Sequence, residues 1–405
     1  MTIIDATEDL GLHPDQSDGH DSAGELLDDA LSRCGCAEVS PPQQIGGGWA
    51  TRGQRLGFFC GRSESGSIKN DTLVRERVRK SVMRFRREND RYMALGSLLL
   101  KSRTYHQLAG VEGKTARRLP VVELPRTEHG KPYIPVDPQD LENKTDEEGC
   151  GMLSVSHQYP FVAIVQLRPP CLHQSVDKFT VGLDVVVFEP PNPRLYKSSQ
   201  PVDEFLSAFK DSFTPREMVR INNSRSADKK LREFYLRWSV KESYTKALGV
   251  GLGYDFGGFD TRLHGVDDAE NCCSDGAKTS VLGDSGLWDH LVAAIREGKT
   301  VLQMYGTVIH HCDPKKQDEL WEFLFVPLPL RSYGSSLTPS SIAPSEALSC
   351  GGCACIGINR VALDRHATQV QPWKESSMTK IDTIPTTIRD VVRWHEEGGK
   401  EYIKR

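Results

Sequence analysis

Trp-Ser-Val-Lys-Glu-Ser-Tyr-Thr-Lys-Ala-Leu-Gly-Val-Gly-Leu (238–252) is the stretch on which the fold turns. It closes a charged segment, 215–249, that reads as a helix. Glycine just past a Lys-bearing last turn is a helix stop. On such a helix Glu242 and Lys246 lie four residues apart on one face, with Trp238 one turn before them. A plain solvated ion pair, worth a few tenths of a kcal/mol, has the same spacing. The setting raises the functional reading beside it. Phe234, Tyr235, Trp238 and Tyr244 make this side of the helix aromatic and shield part of the Glu/Lys face.

Upstream, Thr-Val-Gly-Leu-Asp-Val-Val-Val (180–187) reads as an apolar strand with one acid, Asp184, inside it. A buried carboxylate is costly unless it is paired or metal-bound, and the alternative is an Asp capping a neighbouring loop. Asp184 and Glu242 could share one hard cation, and magnesium takes one or two carboxylates plus waters and substrate phosphates. That combination points to phosphoryl or pyrophosphate chemistry. Strand-like runs at 153–156 and 162–167 bracket His157 and Gln158. The plain reading of His157 is a structural hydrogen bonder, whereas Gln158 offers a neutral oxygen to a metal or a water.

The 405-residue chain carries a formal charge of -4, with 38% apolar and 26% charged residues. Its length allows two or three domain-sized units. No run approaches the roughly 18 apolar residues of a membrane helix. The N-terminus resembles neither a secretory signal nor a transit peptide. Eleven cysteines without a secretory signal favour free thiols in a reducing compartment. Cys350, Cys353 and Cys355 lack the second ligand pair of a zinc site. The near-neutral total hides a polarity. Residues 1–32 hold nine acids and no Lys or Arg, whereas 72–131 hold fifteen Lys or Arg against six acids. So dense a basic stretch suits a polyanion, either nucleic acid, a membrane surface or a phosphate-rich small molecule, or else is a solvated helical face.

Residues 1–48 are acidic and poor in aromatics and read as a disordered tail. Val78, Val82, Phe85, Tyr92, Leu95, Leu98 and Leu99 give 72–108 a helical period. Gly-Lys-Pro (130–132) opens a turn, and 137–149 reads as an acidic surface loop. Residues 201–213 read as a further helix, 322–327 and 353–358 as strands, and 387–394 as a short amphipathic helix. The stretches 256–285 and 331–349 are poorly patterned. The glycine run at 249–253 follows a helix, so it is not a dinucleotide-binding loop.

Gly-Lys-Pro, Ser-Val-Ser-His-Gln, Val-Gly-Leu-Asp and the 238–252 motif, in this order, resemble the 4′-phosphopantetheinyl transferases of the two-lobed, surfactin-synthetase-activating type. The likeness is strongest to the broad-range eukaryotic, aminoadipate-semialdehyde dehydrogenase type. It covers roughly 72–255, with weaker matches at 321–328 and 351–361. It implies transfer of the phosphopantetheine arm of coenzyme A to a serine of apo acyl or peptidyl carrier proteins, with release of adenosine 3′,5′-bisphosphate. Carrier domains of fatty-acid, polyketide, nonribosomal-peptide and aminoadipate-reductase systems are the implied partners, in lysine biosynthesis and secondary metabolism. By the same resemblance Asp184 and Glu242 bind Mg²⁺, and Glu242 is the base toward the carrier serine. Lys246 stabilises the pyrophosphate, and His157 meets the 3′-phosphate. Lys131, Arg77, Lys80, Arg86 and Arg87 hold the adenosine phosphates. The bacterial pattern places a third acid two residues after the strand aspartate. Here that residue is Val186, which leaves the place to Gln158 or to water.

The expectation is therefore an α+β enzyme of two similar lobes with pseudo-twofold symmetry. Each lobe packs a long helix on a small antiparallel sheet, with coenzyme A in the cleft between them. The lobes span 49–179 and 180–366, the second with insertions at 256–285 and 331–349, and 367–405 is a C-terminal extension. The chain is read as a cytoplasmic monomer with no nucleic-acid or membrane partner. The rivals are a nucleic-acid-binding module built on the basic helix and a catalytically lapsed carrier-binding scaffold.

Overall fold

The computed structural model describes residues 1–5, 22–34, 36–38, 44–45, 48–49, 67–108, 118–127, 129–134, 152–167, 180–188, 199–224, 226–250, 253–267, 286–311, 318–329, 350–359, 384–386 and 388–397. The acidic stretch 137–149, the Ser/Pro-rich stretch 331–349 and residues 268–285 lie outside them. In chain order the elements are β1 (Thr2–Asp5), α1 (Ser22–Cys34), β2 (Cys36–Glu38), α2 (Ser67–Met83), α3 (Glu88–Leu108), β3 (Val121–Glu123), β4 (Met152–Gln158), β5 (Phe161–Leu167), β6 (Val181–Val187), α4 (Ser199–Ser207) and α5 (Pro215–Asn222). They continue with α6 (Ala227–Leu248), β7 (Phe259–Leu263), α7 (Leu287–Arg296), β8 (Leu302–His310), β9 (Glu319–Pro329), β10 (Cys350–Asn359), β11 (Ile384–Thr386) and α8 (Ile388–Glu396). Helices and largely antiparallel sheets make an α+β chain, which divides into two compact units, Met1–Val176 with Asp382–Arg405, and Asp177–Ile381.

In the first unit the sheet runs β11-β1-β5-β4. β1 pairs antiparallel with β5 but parallel with β11, so this sheet is mixed where an antiparallel one was expected. The expected 72–108 helix is two helices, α2 and α3, broken at 84–87. The segment read as a disordered tail contributes β1 and α1 to this unit. Ala23, Leu27, Ala30 and Leu31 recur at helical spacing and are buried in its core beside Val78, Leu95 and Leu99. On α1 the acids Asp28 and Asp29 make ion pairs, Asp28 with Arg79 at 3.0 Å and Asp29 with Arg33 at 2.5 Å. Cys34 and Cys36 are likewise buried. The C-terminal stretch, read as an extension, supplies β11 and α8 to the same core through Ile388 and Val391.

In the second unit the sheet runs β6-β10-β9-β8-β7 and is antiparallel throughout. α6 covers β6 and β10. The helix read over 215–249 is split into α5 and α6 at 223–226. α5 starts with a capping box in which the Thr214 hydroxyl accepts from the Glu217 N–H and the Glu217 carboxylate accepts from the Thr214 N–H. The poorly patterned 256–285 contains β7, which pairs with β8. Its alternation was hidden by polar residues that are nevertheless buried. Asp260 is 2% exposed and accepts from the Thr214 hydroxyl and the Arg262 guanidinium.

Under α6 lies a buried ionic network. Lys241 Nζ meets Glu217 at 2.7 Å and donates to the Phe256 and Phe259 carbonyls at 2.6 and 2.7 Å. Burial pulls the Lys241 amine below its usual range, and the Glu217 carboxylate opposes that shift. Arg237 bridges Glu233 and Asp267, both at 2.9 Å. Breaking a buried pair strands the partner charge, at about 3–5 kcal/mol. Lys241→Met is therefore expected to lower the unfolding free energy of the second unit by that amount in a denaturant titration. Adding Glu217→Gln should recover part of the loss, because no bare carboxylate then remains. A Lys241→Met protein of wild-type stability would refute this.

Candidate active site

Residues Val181 to Val187 of β6 are all buried, including Asp184 at 6% exposure. Alternate residues of a strand share a face, and α6 covers this one. α6 passes with Glu242 and Lys246 one turn apart and ends at Gly249, whose φ of 77° is left-handed. The Gly249 N–H closes the last turn on the Thr245 and Lys246 carbonyls. The glycine run thus begins as a helix stop.

The three residues converge. Lys246 Nζ donates to Asp184 Oδ1 at 2.5 Å and lies 3.9 Å from Glu242 Oε2. Both carboxylates are buried, whereas the Lys246 side chain is 30% exposed. Burial raises the Glu242 carboxyl above the ordinary range, Lys246 opposes this, and the Asp184 charge adds to it. Two carboxylates share one ammonium, so one negative charge is left over. Among the described residues no group of three or more His, Cys, Asp or Glu could hold a metal ion. As a donor set, two hard carboxylate oxygens would suit a magnesium-like ion, which takes one or two carboxylates and few other protein ligands. The aromatic flank packs inward. Trp238 contacts Phe213 and Phe256, and Tyr244 contacts Phe259 and Trp321.

The remaining expected residues belong to the first unit. His157 and Gln158 end β4, are exposed, and pair in register with Val162 and Phe161. Lys131 closes a turn in which its carbonyl accepts from the Thr127 N–H at 2.8 Å and Gly130 takes φ 85°. Burial pulls the Lys131 amine down to about 8. Arg77 and Lys80 are exposed and already face carboxylates, Glu123 at 2.8 Å and Glu76 at 2.9 Å. Arg86 and Arg87 are exposed at the α2–α3 break. Two further cations escaped the sequence reading. Arg126 donates to the Gly130 carbonyl at 3.0 Å. Lys101, drawn down to about 8 first by burial and then by the Arg126 charge, lies in α3. The signals available were a lysine at the end of the apolar run Leu98–Leu100 and an arginine opening the turn that Lys131 closes.

Cys350, Cys353 and Cys355 on β10 are free and buried. Burial pushes the Cys355 thiol up to about 12.

Residues 180–291, which contain Asp184, Glu242 and Lys246, match the 4′-phosphopantetheinyl transferase superfamily. A phosphopantetheinyl transferase of Thraustochytrium is 32% identical over 185 residues, 44% of this chain and 52% of that protein. A 4′-phosphopantetheinyl transferase of Paxillus involutus is 32% identical over 188 residues, 45% of this chain and 62% of that protein. The human L-aminoadipate-semialdehyde dehydrogenase-phosphopantetheinyl transferase is 29% identical over 134 residues, 33% of this chain and 37% of that protein. The chain thus spans between about a third and under two thirds of these relatives' lengths.

Proposed function

With a 4′-phosphopantetheinyl transferase superfamily domain at 180–291 as premise, we propose that the protein transfers the phosphopantetheine arm of coenzyme A to a serine hydroxyl of apo carrier proteins. The observation that carries this is the Asp184–Lys246–Glu242 cluster inside that domain. In the reaction the serine Oγ forms a bond to the pantetheine-side phosphorus. The bond from that phosphorus to the bridging oxygen breaks, and adenosine 3′,5′-bisphosphate leaves with the electron pair. Glu242 takes the serine proton, directly or through a water. Its burial-raised affinity for protons makes it a better acceptor than a solvent-exposed carboxylate. Lys246 lies toward solvent on the same helix face, placed to meet the negative charge that grows on the leaving phosphate. Asp184 holds the Lys246 ammonium and, with Glu242, would hold Mg²⁺. That ion, when bound, neutralises pyrophosphate charge.

Lys131 and His157 of the first unit are assigned to the adenosine phosphates, with Arg86 and Arg87 as the basic-helix contribution. Arg126, in the same turn as Lys131, joins them. Arg77 and Lys80 have carboxylates at hand and are the weaker members. Gln158 or water completes the metal shell. In this reading the two units are the two similar lobes of a cytoplasmic monomer, without nucleic-acid or membrane partners. Aminoadipate reductase is one proposed carrier, following the names of the relatives. Fatty-acid, polyketide and peptide synthases are the others.

The test is to incubate the protein with coenzyme A, Mg²⁺ and an apo carrier, and to weigh the carrier. A gain of one phosphopantetheine is expected. No gain on any carrier of the four systems overturns the proposal. Salt-sensitive nucleic-acid binding that survives loss of Asp184 would favour the nucleic-acid-binding module instead.

A further inference from the structure

On the sheet face under α6, Gly182 of β6 stands directly opposite Gly357 of β10. Neither has a positive φ, so backbone freedom does not explain glycine at these positions. Space does. A Cβ on Gly182 would lie 1.8 Å from the Ser243 carbonyl oxygen and 2.5 Å from the Ala247 amide nitrogen. A Cβ on Gly357 would lie 3.1 Å from Ser243 Oγ and 3.3 Å from the Phe323 ring. The two glycines therefore form a notch into which the α6 backbone sinks at Ser243. The next pair on the same face is Asp184 with Cys355, and Cys355 Sγ lies 3.5 Å from Ser243 Oγ. Ser243 is flanked on its own helix by Glu242 and, one turn on, by Lys246. The depth of the helix at Ser243 thus sets the height of both side chains over Asp184. At that depth Lys246 meets Asp184 at 2.5 Å.

We propose that the Gly182–Gly357 notch positions the reacting groups, holding Glu242 and Lys246 within reach of Asp184. What the notch positions rests on the transferase reading above, whereas its effect on cation binding is measurable apart from transfer. A methyl at 182 needs ordinary contact distance to a backbone carbonyl that cannot rotate away. Helix and strand must then part by more than an ångström, a displacement large enough to cost a reacting site about 10²-fold. A methyl at 357 meets chiefly a hydroxyl, which can be removed.

The experiment compares Gly182→Ala, Gly357→Ala, Ser243→Ala and the pair Gly357→Ala with Ser243→Ala. It measures Mn²⁺ affinity by electron spin resonance in the presence of coenzyme A, kcat, KM for coenzyme A, and Tm. For Gly182→Ala, Mn²⁺ affinity and kcat are each expected to fall at least about tenfold, the scale seen when support of metal ligands is lost. KM for coenzyme A, whose adenosine phosphates are assigned to the first unit, should move less than about threefold on the same reasoning. Gly357→Ala should show a smaller loss in the same direction. Ser243→Ala should restore Gly357→Ala, yet leave Gly182→Ala unrepaired. A merely structural pair of glycines would lower Tm and leave Mn²⁺ affinity and kcat of the folded protein unchanged, and that result overturns the proposal. So does failure of Ser243→Ala to restore Gly357→Ala, which decides the matter if Gly182→Ala does not fold. If the wild type binds Mn²⁺ through Asp184 but transfers nothing, the transferase reading fails, and the notch is judged on Mn²⁺ affinity alone. A wild type that neither binds Mn²⁺ nor transfers overturns both.

Discussion

Asp184→Ala is expected to lower phosphopantetheine transfer by about 10²–10³-fold, the usual effect of removing one preorganised electrostatic group. The second unit should melt within a few degrees of wild type. The two halves of this expectation have separate physical causes. Asp184 is the acceptor for Lys246 and contributes to the raised pKa of Glu242. Without it Glu242 is more readily ionised, so loss of rate cannot be blamed on a protonated base. What is lost is the second carboxylate facing the cation and the anchor of the ammonium. Stability is spared because Lys246 is 30% exposed and its freed charge turns into water. Lys241, wholly buried against Glu217, has no such exit. Asp184→Asn, which keeps the shape, should be nearly as slow as Asp184→Ala. Initial rates from the mass of the carrier, with Tm measured in parallel, check this. Near-normal turnover in a folded Asp184→Ala protein would refute the assignment.

The site's centre was legible because two local rules were broken in view. β6 is an apolar strand with one acid, and α6 carries Glu242 and Lys246 beside an aromatic side. Both signals lie within one element each, so period and composition suffice to read them. What was illegible depends on partners distant in sequence. β1 and β11 are four and three residues long and pair with each other across almost the whole chain, and no local pattern marks such strands. α1 was hidden because the nine acids of 1–32 were counted together, although only Glu25, Asp28 and Asp29 belong to the helix and its apolar residues keep helical spacing. β7 was hidden because Asp260 looks like a surface residue until Thr214 and Arg262 are seen around it. The break between α5 and α6 falls in Asn-Asn-Ser-Arg-Ser (222–226), a polar run of residues that favour caps and turns, and the charged segments on either side masked it. Gly182 was read as part of a strand motif, but its role is spatial. Only the 1.8 Å distance to Ser243 shows why alanine would not serve.

Deleting residues 382–405 is expected to unfold the first unit. The segment carries β11, which flanks β1, and α8, whose Ile388, Val391 and Trp394 are at most 3% exposed. Burying each such side chain contributes about 1.5–3 kcal/mol. Together these three approach the 5–15 kcal/mol that holds an ordinary domain. The deletion would also strip partners from a buried polar set. The Ser102 hydroxyl and His395 Nε2 are 2.8 Å apart, His395 Nδ1 lies 2.9 Å from the Val391 carbonyl, and the Leu119 N–H donates to the His395 carbonyl at 2.8 Å. Neutral His395 can donate from Nδ1 to that carbonyl and accept the Ser102 O–H at Nε2. Burial accordingly pulls the His395 pKa down to about 3. The unfolded chain, with an ordinary histidine near 6.5, binds the proton more readily between these two values. Stability from this group is therefore complete above about pH 6.5 and is lost as pH falls toward 3. Lowering the pH from 7 to 4.5 should cost about 2–3 kcal/mol through His395 alone. His395→Asn should remove that share of the acid sensitivity, read as the difference between the two proteins' denaturation midpoints at each pH. Equal acid slopes in the two proteins, or a first unit that keeps its hydrogen-exchange protection after the deletion, would show that α8 does not lock this core.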